Sequence, residues 1–87
     1  MALAARRAEI EAVDAAIVDA LARRAVLVRD VGVMKQRAGR PILDPAREAE
    51  VVALAGARAR AVGLPEDDVR ALYWRIVAMA RRVQVTD

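Results

Sequence analysis

Residues Leu3–Arg37 read LAARRAEIEAVDAAIVDALARRAVLVRDVGVMKQR, and this stretch decides the fold. It holds no proline and one glycine, Gly32, and its apolar residues recur at helical spacing. Its 35 residues, at about 1.5 Å of rise each, make a rod of roughly 52 Å. A compact chain of 87 residues has a radius of gyration near 12 Å, hence a diameter of roughly 31 Å. The rod is too long for such a body. Ile10, Val13, Ile17, Leu21, Val28 and Val31 follow a heptad-like a/d spacing that suits pairing with another long helix. The expected arrangement is a second copy of the chain, the two long helices packed together. The competing arrangement breaks the helix near Gly32 and folds it into a compact monomeric bundle.

Downstream, Gly and Pro punctuate the chain. Ala38-Gly39-Arg40-Pro41 is a breaker cluster. Asp44-Pro45 reads as a helix start, Asp at N-cap and Pro at N1, with the second helix running to about Val62. Gly63 is a C-cap and Leu64-Pro65 a restart. Glu66, Asp67 and Asp68 occupy the first turn of a third helix, where the helix dipole favours anions, and that helix runs to about Gln84. Residues 1–87 are thus expected to form one all-α domain of three helices.

Composition excludes much chemistry. There is no Cys and no His, so a disulfide scaffold, a zinc finger, thiol catalysis and a His-based triad are out. No segment resembles a signal peptide or a membrane span, so a cytoplasmic protein without a membrane partner is expected. Fourteen of the fifteen cations are Arg, interspersed with twelve acids, and the two aromatics, Tyr73 and Trp74, are adjacent. That is not the clustered, aromatic-interleaved pattern of nucleic-acid binding.

Several charges fall where apolar residues should. At 100° per residue, Arg24 and Lys35 lie inside the apolar stripe of the first helix at about 240° and 260°, and Arg7 at its edge near 340°. Arg47 falls near 20°, within the second helix's Val51, Leu54 and Val62 stripe at about 0° to 80°. In the third helix Val69, Leu72, Ile76, Ala80 and Val83 span about 0° to 80°, with Gln84 on the flank. Cations held inward need a partner, and Asp14 is one internal candidate. Snorkelling of the long stems is the ordinary explanation for one such residue. Four together point to a pocket for a small polyanion, and the planar fork of Arg suits carboxylates.

The ordered set Arg7, Ile10, Asp14, Leu21, Arg24-Ala25, Gly32, Lys35, Pro41-Ile42-Leu43-Asp44-Pro45-Ala46-Arg47-Glu48 and Gln84 resembles the all-helical (AroQ-type) chorismate mutases over Leu3 to Gln84. The resemblance implies an intertwined homodimer whose two active sites each borrow an arginine from the neighbouring protomer. Arg7 would be that residue, gripping a substrate carboxylate with Arg24. Lys35 would contact a carboxylate and the ether oxygen, and Gln84 would donate to that oxygen from the opposite side. Arg47 would help fix the carboxylate-binding end and order the loop at Asp44. Glu48, with the backbone near Asp44, would hold the ring hydroxyl. Ala80 stands where many members carry a serine near the substrate carboxylate.

The implied reaction is the Claisen rearrangement of chorismate to prephenate in aromatic amino-acid biosynthesis. It is unimolecular and needs no cofactor, metal or nucleophile. The resemblance also implies a second partner class: some short members are activated when an enzyme of the shikimate pathway docks on them. The C-terminus, Val83-Gln84-Val85-Thr86-Asp87, does not show the docking tail expected for that. Neighbouring functions share the fold. An isochorismate-pyruvate lyase usually lacks the hydroxyl-binding glutamate, so Glu48 favours the mutase. A 4-amino-4-deoxychorismate mutase would keep nearly all these residues. A non-catalytic helical dimer using Arg6-Arg7 and Arg81-Arg82 as phosphate contacts is the distant alternative.

Overall fold

The computed structural model describes residues 2–85, and of Val85 the backbone alone. The expectation about a missing docking tail falls on Val85-Thr86-Asp87 and lies outside what is described. Among the described residues there are three α-helices and no strand: α1 (Ala2–Arg37), α2 (Pro45–Ala61) and α3 (Glu66–Val85). Helix α1 runs unbroken through Gly32, so the compact bundle folded at that residue is not what forms. One interior glycine costs a helix about 1 kcal/mol, too little to force a break.

The helix ends follow from local chemistry. Asp44 caps α2, its Oδ1 accepting the Arg47 backbone N–H at 3.1 Å, and Pro45 opens the helix. Both α1 and α2 end in Schellman motifs around a glycine at positive φ, Gly39 at 67° and Gly63 at 80°. After α1, Arg40 N–H reaches the Lys35 carbonyl at 2.9 Å and Gly39 N–H the Gln36 carbonyl at 3.2 Å. After α2, Leu64 N–H reaches the Ala59 carbonyl at 2.8 Å and Gly63 N–H the Arg60 carbonyl at 3.3 Å. Across the second turn, the Glu66 carboxylate accepts from Arg60 Nε at 3.0 Å and Arg70 Nη2 at 2.8 Å. The Arg60 hydrogen bond is the main reason that Glu66 titrates below its usual range.

Helix α3 is the central element. It packs against α2 and against α1, while α1 and α2 make no close approach to each other. The space they leave, floored by α3, is where the site lies. The core is small: Val52, Ala59 and Val77 are its buried apolar side chains. This corrects the face expected for α2: the buried Val52 and Ala59 lie at about 140° to 160°, not on the Val51, Leu54 and Val62 stripe. On α3, Val69, Ile76, Ala80 and Val83 of the expected stripe are half-buried together with Tyr73 and Gln84, the buried Val77 lies at about 140°, and Leu72 stays exposed. Helix α2 therefore has one apolar face used within the chain and a second left open.

The same holds, more strongly, for α1. Ile10, Val13 and Ile17 are 59%, 59% and 53% exposed, although they sit on its apolar stripe. Leu21 and Val28, further along, are half-buried beneath α3. The chain measures 57 × 26 × 16 Å, with a radius of gyration of 16.0 Å rather than the roughly 12 Å of a compact chain. Its accessible surface is 6911 Å², against about 5000 Å² for a globular protein of 9.4 kDa.

The turn between α2 and α3 gives a direct test. Replacing Gly63 by Ala puts a Cβ on a left-handed residue, at a cost of roughly 1–2 kcal/mol. The Gly63→Ala protein is expected to unfold at lower urea concentration with an unchanged m-value; an unchanged midpoint would show that the Schellman geometry is not required.

Candidate active site

The end of α1 builds one wall of the site. Lys35 provides the carbonyl that the Schellman motif ties to Arg40, which fixes its backbone. The chain then folds back through residues 38–44, and Lys35 Nζ donates to the Ile42 carbonyl at 3.2 Å. One turn of loop thus holds the ammonium group against the cleft and leads the backbone to Asp44. Three turns earlier on the same helix, Arg24 is half-buried and faces the same space.

The start of α2 builds the second wall. The Asp44 cap sets the first turn, so Glu48 projects from it toward the cleft and Arg47 stands at its rim. Arg47 is not turned inward as its place on the stripe suggested: its side chain is 58% exposed and pairs with Glu50. It stands between the cleft and a second groove along α2, which Arg24, Leu54, Val62 and Tyr73 also line. Glu48 is well covered, its side chain 15% exposed.

The floor comes from α3. Gln84 crosses α1 at Gly32, which is buried; a Cβ there would stand 3.5 Å from Gln84 Cγ. Gln84 Nε2 donates to the Val28 carbonyl at 3.4 Å. Ala80 is half-buried beside it. Arg81 was read from the sequence only as a phosphate contact. It reaches from α3 to α2 and grips Glu48 with both arms, Nε to Oε2 at 2.7 Å and Nη2 to Oε1. No period-3.6 reading reveals this, because Arg81 lies beside the apolar face of α3 and its length alone carries it across. Arg6, another of those proposed phosphate contacts, is paired with Glu9 at 2.8 Å.

These residues enclose a cleft of about 290 Å³, near the lower end for small-molecule sites. Apolar walls from Val28, Val31, Ile42, Val51 and Val77 surround the polar groups. Arg24, Lys35, Arg47 and Arg81 outnumber the acids Asp44 and Glu48. Both acids are already engaged, Asp44 as a helix cap and Glu48 by Arg81. The Arg81 hydrogen bond, more than the neighbouring charges, holds the Glu48 carboxyl below its usual range; burial and Asp44 work against it. The cleft therefore presents spare positive charge in an apolar setting, which favours an anion bearing more than one acidic group. Among the described residues no cluster of Asp and Glu could hold a metal ion, and no helix is long and apolar enough to cross a membrane.

Seven of the eight sequence-predicted site residues, Arg24, Lys35, Asp44, Arg47, Glu48, Ala80 and Gln84, line this one cleft. Arg7 does not. It sits in a shallow hollow with Leu3, Ala8 and Glu11, about 25 Å along α1 from Arg24. Asp14, the internal partner considered for the inward cations, is exposed on the same uncovered half of α1.

A family model described as chorismate mutase type II matches residues 6–85. A T-protein of Enterobacter agglomerans is 41% identical over 75 residues, which are 86% of this chain and 20% of that protein. The chain thus spans about a fifth of the length of this relative. No solved structure gives a significant match.

The Glu48–Arg81 bridge has a pH signature. A carboxyl whose folded pKa is depressed adds stability above its unfolded value, about 4.3 for Glu, and loses it as pH falls through the folded value. The stability gap between the natural protein and Glu48→Gln should therefore be constant from about pH 5 to 7 and narrow below about pH 4. Urea unfolding at a series of pH values measures it; a gap that stays constant into acid would show that the bridge is not formed in solution.

Proposed function

The chain belongs to the chorismate mutase type II family, and we propose that residues 1–87 form one chorismate mutase domain, converting chorismate to prephenate in aromatic amino-acid biosynthesis, as a cytoplasmic enzyme. The observation that carries this reading is the convergence of Arg24, Lys35, Arg47 and Gln84 on one apolar cleft. Chorismate carries two carboxylates on a flexible frame. The reaction breaks an ether C–O bond while a C–C bond forms between the ends of the same molecule. No proton, nucleophile or cofactor enters. What accelerates such a step is holding the enolpyruvyl arm folded over the ring, and stabilising the negative charge that grows on the ether oxygen.

The donors for that charge are Lys35 and Gln84. Each is parked on a main-chain carbonyl, Ile42 O and Val28 O, by one hydrogen bond. An ammonium group has three N–H donors and a carboxamide two, so each keeps a donor for the ether oxygen. Because the carbonyls already fix their positions, little reorganisation accompanies the reaction, and the interaction strengthens as charge develops. Arg24 grips a carboxylate, and Arg47 steadies that end of the cleft and the Asp44 loop. Glu48 accepts the ring hydroxyl, aided by the backbone near Asp44. Where relatives carry serine, Ala80 offers no hydrogen bond, so a water takes that place.

The remaining carboxylate contact is Arg7 of the partner subunit. Within one chain Arg7 is about 25 Å from Arg24 along α1, too far for both to hold one substrate. Laid antiparallel against its twin in an intertwined homodimer, the uncovered half of α1 would fill the groove along α2 and bring Arg7 beside Arg24. Docking of a shikimate-pathway enzyme would be a separate layer of control on this dimer.

Lys35→Ala tests the chemistry. It should lower kcat for chorismate by about 10²–10³ or more while helicity and mass are unchanged; near-normal kcat would reject Lys35 as a donor. A mixture of Arg7→Ala and Gln84→Ala chains tests the shared site. After subunit exchange, hybrid dimers hold one site with both residues intact, so about a quarter of native turnover should return when mixing is statistical; none, despite demonstrated exchange, would place Arg7 outside the site.

A further inference from the structure

Arg81 has no part in the reading above, yet it makes the most complete polar contact in the cleft. It is the group from α3 that meets α2 across the site. It holds both oxygens of Glu48 in a planar, two-armed bridge. Glu48 is mostly covered, whereas Arg81 is about half exposed, at 49%. The pair is therefore no generic surface contact: one partner is fixed in the wall of the site, and the other reaches in from its rim.

An ionised carboxylate offers about four acceptor positions on its two oxygens. Arg81 takes one on each oxygen, which leaves two. Asp44, the other acid of the cleft, is committed to the Arg47 backbone N–H. Both acids keep free acceptor positions, and Glu48 is the one that the proposed reading sets against the ring hydroxyl. Which donor it accepts depends on charge. An unpaired carboxylate would attract an ammonium group at least as well as a hydroxyl. A carboxylate already neutralised by a guanidinium still accepts from a neutral hydroxyl, but an ammonium group placed there meets the Arg81 charge as well, with little net attraction left.

We infer that Arg81 sets the substrate preference of the cleft: by bridging Glu48 it makes the site selective for a dicarboxylate whose ring carries a hydroxyl, against one carrying an amine at the same carbon. Arg81 acts through Glu48 and is a positioning residue, not a catalytic one. The inference rests on the proposed chorismate mutase activity and adds the specificity of that same site. It also explains why a residue on an open rim is arginine, when an apolar side chain would suffice to close the wall.

The test compares chorismate with its 4-amino-4-deoxy analogue, a primary amine and so mostly protonated at neutral pH. Steady-state kcat/KM for both is measured on the natural chain, Arg81→Met, Arg81→Gln and Arg81→Lys. Methionine keeps the apolar stem and removes the charge, glutamine guards against misfolding of the first variant, and lysine keeps the charge without the two-armed geometry. The natural chain should favour the hydroxyl compound. Arg81→Met and Arg81→Gln should each shift the amine-to-hydroxyl ratio upward by about two- to fivefold, the scale of one half-exposed charge. Arg81→Lys should restore most of the original preference. An unmoved ratio in both neutral variants, or an equal loss on both compounds, would overturn the role of Arg81 and leave the mutase reading intact. A natural chain that prefers the amine would overturn it too. Turnover of neither compound by the natural chain would overturn the mutase reading, and this inference with it.

Discussion

One constraint governs this molecule: a single chain cannot cover the apolar side of its own longest helix. Helix α1 has 36 residues, whereas α2 and α3 have 17 and 20. Its first half stays open, and Ile10, Val13 and Ile17 are each more than half exposed. Leu54 and Val62 on the second apolar face of α2, and Leu72 on α3, are exposed as well. The surface exceeds that of a globular protein of this mass by roughly 1900 Å², about what each partner of an obligate homodimer buries. The proposed second copy answers that excess and delivers Arg7, the one site residue its own chain keeps away from the cleft.

The cleft arises from the same geometry. Because α3 packs on both α1 and α2, and those two do not meet, a gap remains that side chains from all three helices line. Three of its cations carry no large desolvation cost: Arg47 is paired and largely in water, Lys35 rests on a carbonyl, and Arg81 shares its charge with Glu48. Under the proposed function, a dianion entering the gap would meet groups that are already oriented, so that binding would hold the substrate rather than order the protein. The small core of Val and Ala fits this economy: rigidity at the site comes from caps, Schellman motifs and hydrogen bonds to main-chain carbonyls more than from bulky packing.

Much of this was legible in the residues. Helix limits followed from Asp44-Pro45, Gly39 and Gly63, because a cap, a fixed φ and a left-handed residue are local properties. The length of α1 against the size of the domain pointed to an uncovered stripe. Inward cations at Arg24 and Lys35 were found by angular position alone. Two things were not. The single-stripe reading of α2 chose the outward face, since that helix has two apolar faces and periodicity cannot say which is buried within the chain; on α3 it misplaced Leu72, which is exposed. The Arg81–Glu48 bridge was also missed, because it joins residues 33 positions apart through the reach of one side chain, and nothing in helical spacing encodes that.

Sedimentation equilibrium over a range of concentrations, with helicity followed by circular dichroism on the same samples, decides whether a second copy covers α1. A species of twice 9.4 kDa that loses helix content as it dissociates is expected. A stable 9.4 kDa monomer that keeps its full helicity on dilution and turns over chorismate would contradict it.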